Sequence, residues 1–261
     1  MTSLRIRRLF SILPVALTAL AGADTLDGFI AGQVTAANGR VLPYRLFMPS
    51  VPAAAKLPLI VHFHGAGSWG DNNTAQLGQA RRFAANAWQN KYPCFVLAPQ
   101  TPTGEKWVDL DWRKTDHVMP AEPSWQMAAV LALTEKLIRE LPIDPARIYV
   151  NGQSMGGYAT WDAISRRPDL FAAAVPVCGG GDPQQADTIK TVPIWAFHGA
   201  RDTTVPPENS RRLAAALQQA GATIKYTEYP DVAHDAWNFA YDEPGLRDWL
   251  FAQRKPTPST K

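Results

Sequence analysis

Ser154 is the residue of this 261-residue sequence whose surroundings most directly predict chemistry. Residues 152–157 read G-Q-S-M-G-G and match the pattern G-x-S-x-G. A short apolar run at 148–151 precedes this segment, and an amphipathic helical pattern follows it. A serine on so sharp a strand-to-helix turn needs neighbours without bulk, which Gly152 and Gly156 provide. The pattern therefore predicts a nucleophilic hydroxyl above the end of a strand, at the positive end of a helix dipole.

A serine hydroxyl becomes an effective nucleophile only when a base accepts its proton and a carboxylate holds that base. Of the five histidines, His234 lies in the loop after the last predicted strand, and Asp202 follows the strand predicted at 192–197. With the chain order serine, acid, histidine, these two residues are the predicted acid and base. Asp182 and Asp187 lie one strand earlier and are interpreted as solvated loop acids.

Negative charge that develops on a substrate carbonyl oxygen needs hydrogen-bond donors fixed in advance. The amide of Met155, directly after the serine, is the first predicted donor. A second donor is expected from the loop after the strand at 57–63, where residues 64–67 read H-G-A-G. We assign it to the amide of Ala66, so the sequence predicts an oxyanion hole formed by two backbone N–H groups.

The elements that must position these residues alternate short apolar runs with longer amphipathic ones, as in a parallel sheet covered by helices on both faces. Strands are predicted at 57–63, 94–98, 148–151, 172–177, 192–197 and 223–229, and helices at 75–89, 124–140, 154–167, 208–220 and 244–254. Nearer the N-terminus, residues 28–35 and 41–48 alternate apolar and polar residues around Asn38-Gly39. That pair suits a two-residue turn, so an antiparallel hairpin is predicted.

The first 23 residues combine three arginines, an apolar run and a final A-G-A, which predicts an export signal cleaved near Ala23. We expect a periplasmic or secreted protein without a permanent membrane anchor. Residues 24–254 form one predicted catalytic domain, and 255–261 a flexible tail. Without the signal, 23 basic residues balance 23 acidic ones. The charge therefore indicates no nucleic-acid partner.

Export would permit a disulfide between Cys94 and Cys178. However, Cys94 opens one predicted strand and Cys178 closes another, which separates them by roughly 16 Å along parallel strands. A bridge tolerates about 7 Å between Cα atoms, so no disulfide is predicted.

The stretch 101–124 has no clear helical or strand period and follows the strand at 94–98. A connection of that length is typical of a functional loop, and it leaves the sheet at the carboxyl edge of the strands. Trp107 and Trp112 are predicted to wall the substrate cleft there; local packing of the loop is the alternative.

Together these segments resemble the α/β-hydrolase superfamily, and within it the esterase and peptidase branch related to polyhydroxybutyrate depolymerases and to feruloyl and acetylxylan esterases. The resemblance spans roughly 57–254 and rests on 64–67, 70–72, 144–157, 178–181 and 234–237. It implies an α/β-hydrolase fold with a mostly parallel central sheet. It also implies a serine hydrolase that cleaves carboxylic esters of small molecules or polysaccharides through an acyl-enzyme, without a cofactor. The departure at Ser68-Trp69 concerns the rim of the substrate site.

Three other functions are considered. A metal enzyme could use His62 and His64, spaced two apart on a strand, but no H-E-x-x-H motif and no following acid supplies further ligands. A serine peptidase would use the same fold and the same residues. An exported binding domain would keep the fold without the chemistry.

Overall fold

The structure is a computed structural model that describes residues 24–50 and 56–256. Over these residues nine strands form one sheet. Numbered in chain order, the strands are β1 (Thr25–Leu26), β2 (Phe29–Thr35), β3 (Val41–Phe47), β4 (Leu57–Phe63), β5 (Phe95–Pro99), β6 (Ile143–Gln153), β7 (Ala173–Val177), β8 (Ile194–Gly199) and β9 (Ile224–Tyr229). The predicted export signal at 1–23 lies outside the described residues.

The spatial order of the strands is β1-β2-β3-β5-β4-β6-β7-β8-β9. From β5 to β9 neighbouring strands are parallel, whereas β1, β2 and β3 pair antiparallel and β3 joins β5 antiparallel. This confirms the predicted mostly parallel sheet with an antiparallel N-terminal hairpin. The hairpin loop is longer than the two-residue turn that was predicted. Ala36 and Arg40 close it, and Gly39 adopts the left-handed conformation with φ 81°.

The helices within the described ranges are α1 (Leu77–Ala84), α2 (Asn86–Gln89), α3 (Trp125–Glu140), α4 (Met155–Arg166), α5 (Ala186–Ile189), α6 (Glu208–Gln219), α7 (Trp237–Ala240) and α8 (Leu246–Ala252). The single helix predicted over 75–89 is divided at Ala85, whose ψ is 150°. The break lets Trp88 turn into the core, where its ring centroid lies 4.9 Å from that of Phe83. No described helix is both long and apolar enough to cross a bilayer.

Both faces of the sheet are buried. Alternate residues of β4 point to opposite sides, so Leu59 and Val61 pack with α3 and α4, whereas Ile60 packs with α1 and α8. This arrangement explains why every residue of β4 is buried. It also leaves the loops after the strands as the positions from which polar side chains can meet at one edge.

The two cysteines, Cys94 and Cys178, are buried and unbridged. One precedes β5 and the other follows β7, and two strands lie between β5 and β7. That separation is about 14 Å across the sheet, too far for a disulfide. Burial raises the pKa of both thiols to about 12. Both thiols are therefore protonated and unreactive at neutral pH.

The beginning of the predicted flexible tail is held in place. The backbone N–H of Lys255 donates to the carbonyl of Ala146 over 2.9 Å, and its ammonium donates to the carbonyl of Asp169 over 2.7 Å. Residues 257–261 lie outside the described ranges.

Candidate active site

Ser154 sits between the end of β6 and the start of α4 in a strained conformation, with φ 57° and ψ −121°. The turn is tight because α4 presses against the end of β4. A Cβ at Gly156 would lie 2.0 Å from the carbonyl oxygen of Phe63, and one at Gly152 would lie 2.3 Å from the carbonyl oxygen of Gly156. Only glycine fits at these two positions. Their spacing around Ser154 is thus a steric requirement of the turn.

The structure brings Ser154, His234 and Asp202 together, although they are far apart in sequence. The hydroxyl of Ser154 lies 2.8 Å from Nε2 of His234, and Nδ1 of His234 lies 2.6 Å from Oδ2 of Asp202. The carboxylate only accepts, so Nδ1 carries the proton and Nε2 offers a lone pair to the serine hydroxyl. This is the arrangement of nucleophile, base and orienting acid.

Asp202 is held by more than His234. Its side chain is fully buried, and Oδ1 accepts the backbone N–H groups of Thr204 and Val205, each over 2.9 Å. Burial alone would raise the pKa of this carboxyl, but hydrogen bonds from His198, His234 and Val205 outweigh it and hold the pKa well below its usual range. Asp202 is therefore ionised and fixed in orientation.

The other two candidate acids lie elsewhere. Asp182 accepts the N–H groups of Met119 and Gln184 over 3.0 and 2.9 Å, so it caps a turn and anchors the loop 101–124. Asp187 forms an ion pair with Lys190 over 3.0 Å. Neither carboxylate is hydrogen-bonded to His234.

Ala66 and Met155 line the same cavity as Ser154, which has a volume of about 450 Å³. Met155 is the first residue of α4, and Ala66 begins a turn of 3₁₀ helix (Ala66–Ser68) after β4. The N–H groups of a first helical turn have no acceptor within their own helix. The backbone N–H groups of these two residues are therefore the candidate donors to an oxyanion beside Ser154.

His64 stabilises the loop that carries Ala66. Its Nδ1–H donates to the carbonyl of Gly65 over 2.7 Å, and its Nε2 accepts the N–H of Thr101 over 3.1 Å. Burial lowers the pKa of His64 to about 4, so the ring is neutral. Because both ring nitrogens have partners within the protein, His64 has no lone pair left for a metal.

His62 is also part of the core. Its Nδ1 contacts the side-chain oxygen of Asn151 over 2.6 Å, and its ring packs against Phe83 and Tyr241. Burial lowers the pKa of His62 to about 4. The pair His62 and His64 therefore does not form the metal site that the sequence left open as an alternative.

One cluster of potential metal ligands occurs among the described residues, with atoms of Cys178, Asp202 and His234 within 4.8 Å of one another. A thiol binds metal as its thiolate, and burial raises the pKa of Cys178 to about 12. Asp202 and His234 are already bonded to each other. The cluster therefore suits a hydrogen-bonded acid and base better than a metal-ion site.

The two tryptophans of the loop 101–124 have different positions. Trp112 lines the cavity beside Ser154. Its carbonyl accepts the hydroxyl of Tyr158 over 3.1 Å. Trp107 was predicted as a second wall, and this is corrected: its side chain is fully buried and packs edge-on against Phe63. Its indole N–H donates to the carbonyl of His64 over 3.1 Å, and Trp107 is not among the residues that line the cavity.

Trp237 belongs to the segment 234–237 that carried the family resemblance, but no role was assigned to it from the sequence. It begins α7, lines the cavity, and stands perpendicular to the His234 ring with centroids 5.3 Å apart. Its position three residues after His234 is the spacing that brings side chains together on a helical turn. That spacing could have indicated the contact.

Residues 52–247 match the model of the dienelactone hydrolase family. The chain belongs to the dienelactone hydrolase family. It is thus a hydrolase with the α/β-hydrolase fold, as the sequence resemblance implied.

Relatives and solved structures agree with this membership. The chain is 26% identical to a probable carboxylesterase SOBER1-like of Arabidopsis thaliana, over 77% of this chain and 80% of the relative. It is 25% identical to poly(3-hydroxyalkanoate) depolymerase C of Paucimonas lemoignei, over 72% and 50%. Among solved structures, it resembles a thermostable esterase with a TM-score of 0.81 and 42% identity, over 88% of this chain and 64% of that one.

A second structural resemblance shows the fold alone. An acylaminoacyl peptidase of Pyrococcus horikoshii matches with a TM-score of 0.67 at 16% identity, and the chain spans 43% of its length. The hydrolase fold found here thus also occurs as a part of longer proteins.

Proposed function

We propose that the protein hydrolyses carboxylic esters with Ser154 as nucleophile, His234 as general base and Asp202 as the acid that orients it. The observation that carries the proposal is the hydrogen-bonded series from Ser154 Oγ through the His234 ring to Asp202, with contacts of 2.8 and 2.6 Å. The esterases among the relatives support it.

In the first half of the reaction, Ser154 Oγ attacks the ester carbonyl carbon while its proton passes to Nε2 of His234. The carbonyl oxygen becomes an oxyanion that accepts hydrogen bonds from the backbone amides of Ala66 and Met155. The bond to the alcohol then breaks, and the leaving oxygen takes the proton back from Nε2. The product of this half is an acyl-enzyme and a free alcohol.

In the second half, a water molecule gives a proton to Nε2 and attacks the acyl carbon. The ester bond to Ser154 breaks, and Oγ recovers the proton from His234. Asp202 stays ionised throughout and stabilises the imidazolium that forms in each half. The residues that do this chemistry need no cofactor.

We also propose that the substrate is an ester of a small molecule or a polysaccharide and that the protein is exported. Expression of the full chain, followed by fractionation and mass measurement of the mature N-terminus, tests export. Cleavage near Ala23 is expected. Retention of the intact chain in the cytoplasm would argue against it.

The test of the chemistry is labelling by a fluorophosphonate, combined with a hydrolysis panel. Wild-type protein should be labelled on Ser154, whereas Ser154→Ala should not. Ser165→Ala is the matched control, because the Ser165 hydroxyl donates to the carbonyl of Trp161 and Ser165 does not line this cavity. It should keep labelling and activity. The panel contains aryl acetates, longer acyl esters, feruloyl esters, acetylated xylan and small peptides.

Peptide hydrolysis faster than ester hydrolysis would indicate the serine peptidase instead. Absence of both labelling and turnover would indicate a binding domain.

A further inference from the structure

A second histidine, His198, approaches the same oxygen of Asp202 as His234 does. His198 lies on β8 and is fully buried. Its Nε2 lies 3.3 Å from Oδ2 of Asp202 and 3.0 Å from the carbonyl oxygen of Val205. The sequence analysis gave this histidine no role, and the steps described above do not use it.

The neighbours of His198 determine which ring nitrogen carries the proton. Both groups that face Nε2, a carboxylate and a carbonyl, are acceptors, so Nε2 must be protonated. Nδ1 lies 2.8 Å from the hydroxyl of Ser210, which is also 3.2 Å from the carbonyl of Gly179. The Ser210 hydroxyl can donate to either partner. In both arrangements Nε2 keeps its proton, and the Nε2–H remains directed at the Asp202 carboxylate and the Val205 carbonyl.

We propose that His198 is a positioning residue for the ester hydrolysis: its Nε2–H holds the Asp202 carboxylate in place and limits how strongly that carboxylate retains a proton on His234. This inference rests on the proposed function.

Both oxygens of the Asp202 carboxylate face hydrogen-bond donors. Oδ1 accepts hydrogen bonds from two backbone amides, whereas Oδ2 accepts the Nδ1–H of His234 and lies 3.3 Å from Nε2 of His198. Each donor draws negative charge away from Oδ2. Without the donor from His198, more charge remains on Oδ2 and the imidazolium of His234 becomes more stable. A base that holds its proton too firmly returns it slowly to the leaving alcohol.

Other titratable groups face this pair and remain when His198 is replaced. Glu228 on β9 faces His198 and is paired with Arg211 over 2.7 Å. Cys178, after β7, and Tyr158, on α4, face Asp202, and burial raises the pKa of each. These two therefore stay protonated at neutral pH. A change in the pH profile can then be attributed to the lost imidazole.

The test compares three variants. His198→Leu keeps the volume but removes the donor, whereas the amide of His198→Gln can donate from nearly the position of Nε2. Ser210→Ala disturbs the other side of the His198 ring and leaves the donor to Asp202 intact. Each variant is measured for kcat and KM across pH with an aryl acetate, and for Tm.

For His198→Leu we expect the midpoint of the acid limb of the kcat/KM profile to shift to a pH higher by about half a unit or more. Its kcat should fall about 10-fold while KM changes less than about 2-fold. His198→Gln should restore most of the profile. Ser210→Ala should lower Tm and leave the pH midpoint of the acid limb unchanged. A purely structural histidine would lower the active fraction equally at all pH values, so an unmoved limb in folded His198→Leu would overturn the proposal.

Wild-type protein provides a second measurement that needs no variant and no activity. Nitrogen-15 spectra of the histidine rings should show His198 protonated at Nε2 from about pH 6 to about pH 9. A neutral ring protonated only at Nδ1 would overturn the inference even if Ser154 is labelled. If Ser154 is not labelled, the proposed function fails independently of what the His198 ring shows.

Discussion

The indole N–H of Trp107 donates to the carbonyl oxygen of His64 over 3.1 Å, directly below the loop that carries Ala66. The indole ring also packs against the His64 ring, with centroids 5.2 Å apart. His64 in turn binds Gly65 and Thr101. A buried tryptophan thus supports the backbone that is expected to bind the oxyanion, and does so without contact to the substrate space.

Replacement of Trp107 should therefore reduce stability. Trp107→Ala removes a fully buried ring and should lower the free energy of unfolding by about 3 to 5 kcal/mol. Trp107→Phe keeps one six-membered aromatic ring but loses the N–H donor and part of the buried volume, and should cost about 1 to 3 kcal/mol. Urea denaturation measures both. The folded Trp107→Phe protein should keep the wild-type ratio between substrates, and a changed ratio would restore the original interpretation of Trp107 as a wall.

Trp112, in contrast, should affect the choice of substrate. Because its ring lines the cavity, Trp112→Ala should change the ratio of kcat/KM for a feruloyl-type ester to that for a simple acetyl ester. Only the aromatic acyl group can stack on the indole, so the ratio should fall severalfold. Trp249→Ala is the matched control, because Trp249 lies on α8 against Trp195, away from the cavity. If the ratio of the two kcat/KM values is the same in the wild type and in both variants, Trp112 does not determine substrate specificity.

The contrast between these tryptophans shows what the sequence could predict. Ser154 could be predicted from a local pattern, because a Cβ at either flanking glycine would lie only 2.0 to 2.3 Å from a backbone carbonyl oxygen. Asp202 and His234 could be predicted from their positions after strands. Trp107 and Trp112 lie in a stretch without a period, where tertiary contacts alone decide the direction of a side chain. The break at Ala85 has the same origin. Alanine favours helix, and only the packing of Trp88 explains the interruption.

The three residues of the proposed triad should behave as a unit. Ser154→Ala, His234→Ala and Asp202→Asn should each lower kcat by about 10⁴-fold or more, and double variants should lose little beyond the single ones. Steady-state kinetics on an aryl acetate measures this. Asp182→Asn is the matched control, since Asp182 caps a turn and is not bonded to His234. Near-normal activity of Asp202→Asn together with a large loss in Asp182→Asn would reverse the acid assignment.

The amide of Ala66 can be removed without removing its residue, which allows the oxyanion hole to be tested directly. Gly65 has φ −79° and ψ 170°, a conformation that a following proline accepts. Ala66 is the first residue of its helical turn, where proline is tolerated. Ala66→Pro therefore deletes one N–H with little backbone change. We expect kcat to fall by about 10² to 10³-fold.

The matched control is Ala66→Ser, which changes the side chain and keeps the amide, and it should stay within about 3-fold of wild-type kcat. Affinity for a phosphonate that mimics the oxyanion should fall in parallel with kcat in Ala66→Pro, because both depend on the same donor. KM for the ester should change much less. If folded Ala66→Pro keeps both kcat and phosphonate affinity, the second donor must be another amide of the loop, and the assignment to Ala66 is wrong.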